Sequence, residues 1–215
     1  MKCRFCTSSC IKKGIRNGIQ QYWCPACGKY QREEYKYKSY KISNTLVIAS
    51  VKEGLGIRST SRLLGISTTT VLRRIRIIAH EIRKPPISLR KSYEVDELYT
   101  FVRSKQKGVW IVLAFERETN RVVDFYIGPR TQRSLRMVVN TLLASSVKTI
   151  HTDGLLHYKG LINKRMHRLE RYGTNKIERF NLNLRTHLKR LSRRTIAYSK
   201  NMDMLYSCLT IYLWG

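Results

Sequence analysis

Two pairs of cysteines constrain the start of this chain more strongly than any other feature. Cys3 and Cys6 form one Cys-x-x-Cys knuckle, and Cys24 and Cys27 form a second that is followed directly by a glycine. Two residues between ligands let one tight turn present both sulfurs, and the glycine permits the positive φ of such a turn. Paired knuckles at this spacing are typical of a zinc site. We predict a zinc ribbon whose Zn²⁺ is structural, because four thiolates leave no open coordination position.

The other cysteines lack a partner at knuckle spacing. Cys10 and Cys208 are therefore predicted to be small packing residues rather than ligands. The segment between the knuckles, Ile11–Trp23, is predicted to form the hairpin of the ribbon. Incidental free cysteines are the alternative interpretation of the whole pattern.

An excess of positive charge narrows the choice of partner. The chain has 42 Lys and Arg against 14 Asp and Glu, a formal charge of +28 that is spread along its length. Such a chain needs an anionic partner, either nucleic acid or an anionic membrane surface. The longest apolar run, Val109–Phe115, is too short to span a bilayer, and the first residues have no apolar core typical of a signal peptide. We expect nucleic acid as the partner, no membrane, and a reducing, cytoplasmic compartment in which cysteines serve as metal ligands.

The chain divides into four predicted segments: 1–40, the zinc ribbon; 41–83, short helices; 84–91, a linker containing the helix-breaking Lys84-Pro85-Pro86; and 92–215, a mixed α/β domain. In the last segment the order is three strands, helix, strand, helix, strand, helix. The predicted elements are strands around Tyr93–Leu98, Val109–Phe115, Arg121–Ile127, Val147–His151 and Met166–Leu169, and helices over Thr131–Leu143, from Gly154 to about Lys164, over Asn175–Leu191 and over 201–213. Strands joined by short turns should be antiparallel, and those linked through helices parallel.

Residues 57–78 have the form of a helix-turn-helix. Gly65 supplies the turn, Ser67 can cap the second helix, and Val71, Ile75 and Ile78 recur on one buried stripe. Hydroxyl and arginine side chains near the start of such a helix suit base edges and phosphates. The residues predicted to face DNA are Thr68, Thr69, Thr70, Arg73, Arg74 and Arg76. An ordinary helical hairpin with a solvated basic face is the alternative.

Few acidic residues are available for catalysis. Asp96 lies within a predicted strand, Asp153 follows another strand, and Glu178 lies on the long basic helix. Strand, strand-end and helix positions in this order can converge on one rim of a mixed sheet, where the carboxylates would hold Mg²⁺ beside a phosphate. Two such ions about 4 Å apart can activate a hydroxyl and stabilise a leaving oxygen. Glu94 and Glu97 compete with Asp96 for the first position, and Glu170 competes with Glu178.

Three blocks of this sequence resemble the transposase family of insertion sequence one. They are Asp96-Glu-Leu-Tyr-Thr-Phe-Val102, Thr152-Asp-Gly154 and Ile177-Glu-Arg-Phe-Asn-Leu-Asn-Leu-Arg-Thr-His-Leu188. The resemblance implies a ribonuclease-H-like five-stranded mixed sheet with flanking helices. It also implies a DDE triad on Asp96, Asp153 and Glu178 that uses two Mg²⁺ (or Mn²⁺) ions.

The partners implied are double-stranded DNA, as terminal inverted repeats and as target, and further copies of the chain in a synaptic complex, in a bacterial or archaeal nucleoid. Asn181 and Arg185 follow Glu178 on the same helix and are expected to contact the scissile or flanking phosphate.

Three other functions compete with this interpretation. A zinc-ribbon and helix-turn-helix transcription factor would use the rear domain only to dimerise. A tyrosine recombinase would need an Arg/His cluster around one nucleophilic tyrosine, with Tyr198 and Tyr206 as candidates, but the strand order does not suit it. An RNA-binding zinc protein would need no carboxylate triad.

Overall fold

A computed structural model describes residues 1–32, 43–170 and 172–215. The end of the predicted zinc segment and its boundary with the helical segment lie outside the described residues. Contacts divide the chain into two compact units, Met1–Lys41 and Ile42–Gly215.

The N-terminal unit contains a three-stranded antiparallel sheet in the order β1-β2-β3. Its strands are β1 (Ile11–Arg16), β2 (Ile19–Trp23) and β3 (Tyr30–Arg32). Asn17 and Gly18 join β1 to β2 with positive φ angles of 54° and 74°, which suits the twist of a two-residue hairpin. The hairpin predicted between the two cysteine knuckles is therefore confirmed.

The second unit opens with three helices, α1 (Asn44–Lys52), α2 (Ile57–Leu64) and α3 (Thr68–Glu81). Gly65 ends α2 in the left-handed conformation, at φ 65°. The Ser67 side chain accepts a hydrogen bond from the Thr70 amide, 3.1 Å away, and so caps α3. Val71 and Ile75 are buried among these helices. The predicted turn, cap and buried stripe are all present.

A five-stranded mixed sheet with the order β6-β5-β4-β7-β8 follows. Its strands are β4 (Ser92–Val102), β5 (Ser104–Glu116), β6 (Arg121–Gly128), β7 (Thr149–Thr152) and β8 (His167–Arg168). The β4-β5 and β5-β6 pairs are antiparallel, whereas β4-β7 and β7-β8 are parallel. The predicted strand directions are confirmed.

Helices cover both faces of this sheet. They are α4 (Gln132–Leu143), α5 (Leu156–Lys159), α6 (Asn175–His187) and α7 (Met202–Trp214). One apolar core lies on the α4 and α5 side, where it contains Leu135 and Tyr158. A second core, with Ile177 and Leu209, lies on the α6 and α7 side. Alternation along β4 therefore decides which helices each of its side chains faces.

Two predicted helices were too long. The helix after Gly154 is the single turn α5 rather than a helix reaching Lys164. The helix predicted over Asn175–Leu191 ends at His187, because Leu188 takes extended angles, φ −93° and ψ 91°. A 3₁₀ turn over Lys189–Leu191 then returns Leu191 to the core, where it is fully buried. Apolar spacing alone did not distinguish this return from a continuous helix.

Helix α7 is buried between the first three helices and the sheet. Met204 and Ile211 pack with α1 and α3, while Leu205 and Leu209 pack against the sheet side. Cys208 is also fully buried, as its predicted packing role requires. Residues predicted to form a separate helical segment thus share a core with the last helix of the chain.

Candidate functional site

Asp96 lies in the middle of β4, on the face that is covered by α6. The side-chain amide of Asn181 on α6 donates a hydrogen bond of 2.8 Å to Asp96 Oδ2. Asn181 is only 7% exposed. Its Oδ1 atom has no hydrogen-bond partner among the described residues. The amide of Asn181 is thus enclosed beside the aspartate and bonded to it through its nitrogen.

Asp153 follows β7, which lies parallel to β4. The register pairs Val95 with Thr152, so the residues that follow them, Asp96 and Asp153, come side by side at one end of the sheet. Asp153 Oδ1 accepts a hydrogen bond of 3.1 Å from the Leu155 amide, which holds the carboxylate at the turn into α5.

Glu178 approaches the same region from the first turn of α6. It lines a cleft of about 280 Å³ together with Asp96. Glu178 is exposed, and its Oε1 atom accepts a hydrogen bond of 2.7 Å from the Thr174 hydroxyl. The remaining lining residues are Glu97, Leu98, Asn181, Leu182, Arg185 and Arg193. Asp153 borders this group without lining the cleft.

The local electrostatics of the cleft oppose the ionised form of Asp96. Burial raises the pKa of Asp96 to about 6, and the negative charges of Glu97 and Asp153 add to the effect. A bound cation would reverse this preference, since it attracts the ionised carboxylate. Carboxylate oxygens are also the donors that Mg²⁺ prefers. The donor set therefore fits a divalent hard cation. Among the described residues, the compact group of potential metal ligands is the set of four paired cysteines.

The competing acids are engaged by other side chains or by the backbone. Glu97 lies on the opposite face of β4 from Asp96, where it forms an ion pair of 3.0 Å with Arg130 and accepts a hydrogen bond from the Tyr158 hydroxyl. Glu94 is fully buried and accepts a hydrogen bond from the backbone of α6. Glu170 is exposed, and its carboxylate lies 4.0 Å from His151. Asp96, Glu97 and Glu178 all line the cleft, and Glu97 is the one of them that forms an ion pair among the described residues.

Arginine side chains give the cleft a basic border. Arg185 donates a hydrogen bond of 2.8 Å from Nη1 to the Leu191 carbonyl, and burial lowers the pKa of its guanidinium. Arg193 also lines the cleft but was not singled out from the sequence. The signal available for it was the dense basic run in residues 189–194.

The four paired cysteines form a compact cluster in the N-terminal unit. Their sulfurs all lie within 4.8 Å of one another, with Cys3 and Cys27 3.6 Å apart and Cys6 and Cys24 3.4 Å apart. Zn–S bonds of about 2.3 Å in a tetrahedron place sulfurs about 3.8 Å apart. The Phe5 amide donates to the Cys3 sulfur and lowers the pKa of this thiol to about 6, which favours the thiolate that a metal requires. The knuckle geometry fits zinc.

The candidate DNA-facing residues of α3 differ in exposure. Thr68, Thr69, Arg73 and Arg76 are exposed, while Thr70 and Arg74 are half-buried. The Nε atom of Arg74 is buried and has no hydrogen-bond partner among the described residues. Thr68 and Arg76 also line a cleft of about 670 Å³ that continues onto Arg190 and Lys200. This face of α3 therefore presents hydroxyl and guanidinium groups to solvent.

Comparison with known proteins shows that this chain is similar to IS1 transposase proteins. The family model of the IS1 transposase matches residues 91–214. The insertion element IS1 protein InsB of Shigella flexneri is 33% identical over 120 residues, which cover 56% of this chain and 92% of that protein. The insertion element IS1 4 protein InsB of Escherichia coli (strain K12) is 32% identical over 120 residues, covering 56% of this chain and 72% of the relative.

A solved structure of the simian T-cell lymphotropic virus intasome in complex with PP2A regulatory subunit B56 gamma is 14% identical. The structural alignment covers 77% of this chain and 67% of the intasome chain, with a TM-score of 0.39. Among the helices of the described residues, none combines the length and hydrophobicity needed to cross a bilayer.

Proposed function

Because the chain belongs to the IS1 transposase family, we propose that it cuts DNA at the terminal inverted repeats of its element and joins the freed ends to target DNA. The cleft that Asp96 and Glu178 share, with Asp153 on the neighbouring strand, is the observation that supports this reaction most directly. The underlying fold is inferred to be ribonuclease-H-like.

The proposed reaction consists of two phosphoryl transfers. Water attacks a phosphorus atom at the end of the element, the bond to the 3′-oxygen breaks, and a free 3′-hydroxyl remains. That oxygen then attacks a phosphorus atom of the target, and the displaced target oxygen takes up a proton. Bound Mg²⁺ or Mn²⁺, as two ions, supplies charge stabilisation for the attacking and leaving oxygens.

The side chains of the cleft have separate roles in this proposal. Asp96, Asp153 and Glu178 hold the metal ions. Asn181 orients Asp96 by donating a hydrogen bond to its Oδ2 atom. Arg185 and Arg193 provide positive charge where phosphates would pass. Asn181 would therefore support a carboxylate, whereas the sequence led us to expect direct contact with a phosphate.

DNA recognition is assigned to the first 83 residues. We propose that α2 and α3 act as a helix-turn-helix that reads the terminal repeats through Thr68, Thr69, Arg73 and Arg76. The cysteine cluster would hold Zn²⁺ and maintain the basic N-terminal sheet, which adds phosphate contacts. Joining two ends to one target implies a homo-oligomer on double-stranded DNA.

Replacing Asp153 tests the proposed catalytic role. Asp153→Asn should abolish cleavage and strand transfer on a labelled terminal-repeat duplex, because an amide binds a divalent cation poorly. Binding to the same duplex in Ca²⁺ should persist, as measured by gel shift. Asp203→Asn, at an exposed acid on α7, is the matched control and should retain both activities. Retained cleavage in Asp153→Asn would refute the proposal, and loss of binding alone would favour a DNA-binding regulator.

A further inference from the structure

A charged group is buried behind the cleft without taking part in it. Glu94 is 0% exposed, and its Oε2 atom accepts a hydrogen bond of 2.8 Å from the Ile177 amide. The Nε atom of Arg117 lies 3.2 Å from the other carboxylate oxygen. The proposed reaction uses neither Glu94 nor Arg117, so this buried charge needs another explanation.

The contacts of Arg117 continue to a third strand. Its Nη1 atom lies 3.0 Å from Nδ1 of His151, a residue that is 7% exposed. A guanidinium only donates, so Nδ1 must accept and the ring proton must lie on Nε2. Nε2 can then donate to the Thr149 hydroxyl at 3.2 Å, which in turn donates to the Ser92 hydroxyl at 2.9 Å. Donors and acceptors alternate consistently from one end of this chain of bonds to the other.

The three residues that these contacts connect, Glu94, His151 and Ile177, each lie within two positions of a proposed metal-binding acid in the sequence. Glu94 precedes Asp96 by two residues on β4, so the two side chains lie on one face of that strand. His151 lies on β7 and precedes Asp153, which directly follows the strand, by two residues. Ile177 immediately precedes Glu178 on α6. Glu94 and Arg117 together therefore link all three backbone segments that carry the acids, Glu94 through the Ile177 amide of α6 and Arg117 through His151 of β7.

We propose that Glu94, Arg117 and His151 form a positioning network that sets the spacing of Asp96, Asp153 and Glu178, an inference that rests on the proposed function. A buried ion pair is weak evidence for stability, because an apolar replacement of similar volume is often as stable. The hydrogen bonds from the Ile177 amide to Glu94 and between Arg117 and His151 are directional, and the Arg117–Glu94 ion pair joins them. Together these contacts specify where the three segments lie. Metal sites need their ligands held within about 0.5 Å, and outer contacts of this kind commonly provide that accuracy.

Glu116 offers a matched control for Glu94. It is a second buried glutamate, 3% exposed, at the same end of the sheet, where its partner strand residue is Tyr93. Its side chain accepts a hydrogen bond of 3.3 Å from the Ser88 hydroxyl in the predicted linker. Glu94→Gln and Glu116→Gln therefore remove the same charge from similar burial, but only the first removes it from the network.

The experiment measures Mn²⁺ binding to the full-length protein by electron paramagnetic resonance, alongside thermal unfolding and strand transfer. Glu94→Gln should weaken Mn²⁺ binding by about tenfold or more, as loss of outer contacts does at other metal sites. Glu116→Gln should change it less than about twofold at a comparable Tm. Arg117→Lys should also weaken Mn²⁺ binding although it keeps the positive charge, because one ammonium group cannot reach both Glu94 and His151.

A second pair of variants separates positioning from folding. His151→Asn can present an amide oxygen where Nδ1 accepts, and it should retain more Mn²⁺ affinity than His151→Ala at equal Tm. The inference is overturned if Mn²⁺ affinity follows Tm alone across all these variants. Failure of the proposed function would differ, since Asp153→Asn would then retain strand transfer whatever the network variants did.

Discussion

Replacing Asp96 by asparagine should stabilise the metal-free protein at neutral pH. The carboxyl group is largely buried, and its ionised form lies near the negative charges of Glu97 and Asp153. Asparagine has nearly the same shape and can still accept a hydrogen bond from Asn181 through its amide oxygen. It removes the charge that folding disfavours. A residue proposed to be essential for catalysis would thus reduce the stability of the apo-protein, as strained functional sites often do.

The size and pH dependence of this effect follow from the shift in pKa. Folding raises the pKa of Asp96 from 3.8 to about 6, so the folded state retains a proton that the unfolded state has already released. Wild-type stability should fall as pH rises from about 4 to about 6 and then level off. At about 1.36 kcal/mol per pKa unit, the full difference is about 3 kcal/mol. Asp96→Asn should therefore gain up to about 3 kcal/mol above pH 6 and almost nothing below pH 4.

Urea unfolding in EDTA from pH 4 to 8, followed by circular dichroism, measures this difference. Mg²⁺ should then favour the wild type, because the ionised carboxylate binds the cation and the amide does not. Asp203→Asn is the control, since an exposed acid in the first turn of α7 should instead lose about 0.5 kcal/mol. The reasoning about burial would be refuted if Asp96→Asn were no more stable than the wild type, or if its gain in the free energy of unfolding did not change with pH.

Three further outcomes test other parts of the molecule. Cys24→Ser should release zinc, detected with a chromogenic chelator, whereas Cys10→Ser should retain it because Cys10 lies outside the compact cluster. Arg73→Ala should weaken terminal-repeat binding by about 1–3 kcal/mol in a fluorescence titration if the side chain reads a base, and should make affinity less dependent on salt if it contacts phosphate. Gly54→Ala should lower the free energy of unfolding by about 1–3 kcal/mol, because the Gly54 φ angle is +67° and the added methyl group would collide with the His187 carbonyl. An unchanged midpoint of urea unfolding would contradict the described packing of the end of α1 against the end of α6.

Most local features could be predicted from the sequence. The β1-β2 hairpin, the Gly65 turn, the Ser67 cap and the directions of the five strands each depend on residues close together in the chain or on the length of a connection. Cysteine spacing likewise indicated a cluster, because two knuckles need only one sheet to bring them together. The family resemblance added candidate roles for the acids, and those roles remain proposals.

The choice among neighbouring acids depended on the tertiary structure. Glu94, Asp96 and Glu97 lie within four positions on one strand, yet their partners differ. Glu94 accepts a hydrogen bond from the backbone of α6, and Asp96 accepts one from the side chain of Asn181 on the same helix. Glu97 instead pairs with Arg130 on the opposite face of the strand. Those partners lie 33 to 85 residues away in the chain. Local composition determines what a segment can form, whereas the contacts of a buried charge depend on which distant segments fold against it. For that reason the sequence alone determined most of the elements and their order, and only the tertiary structure decided which distant partner each of these acids contacts.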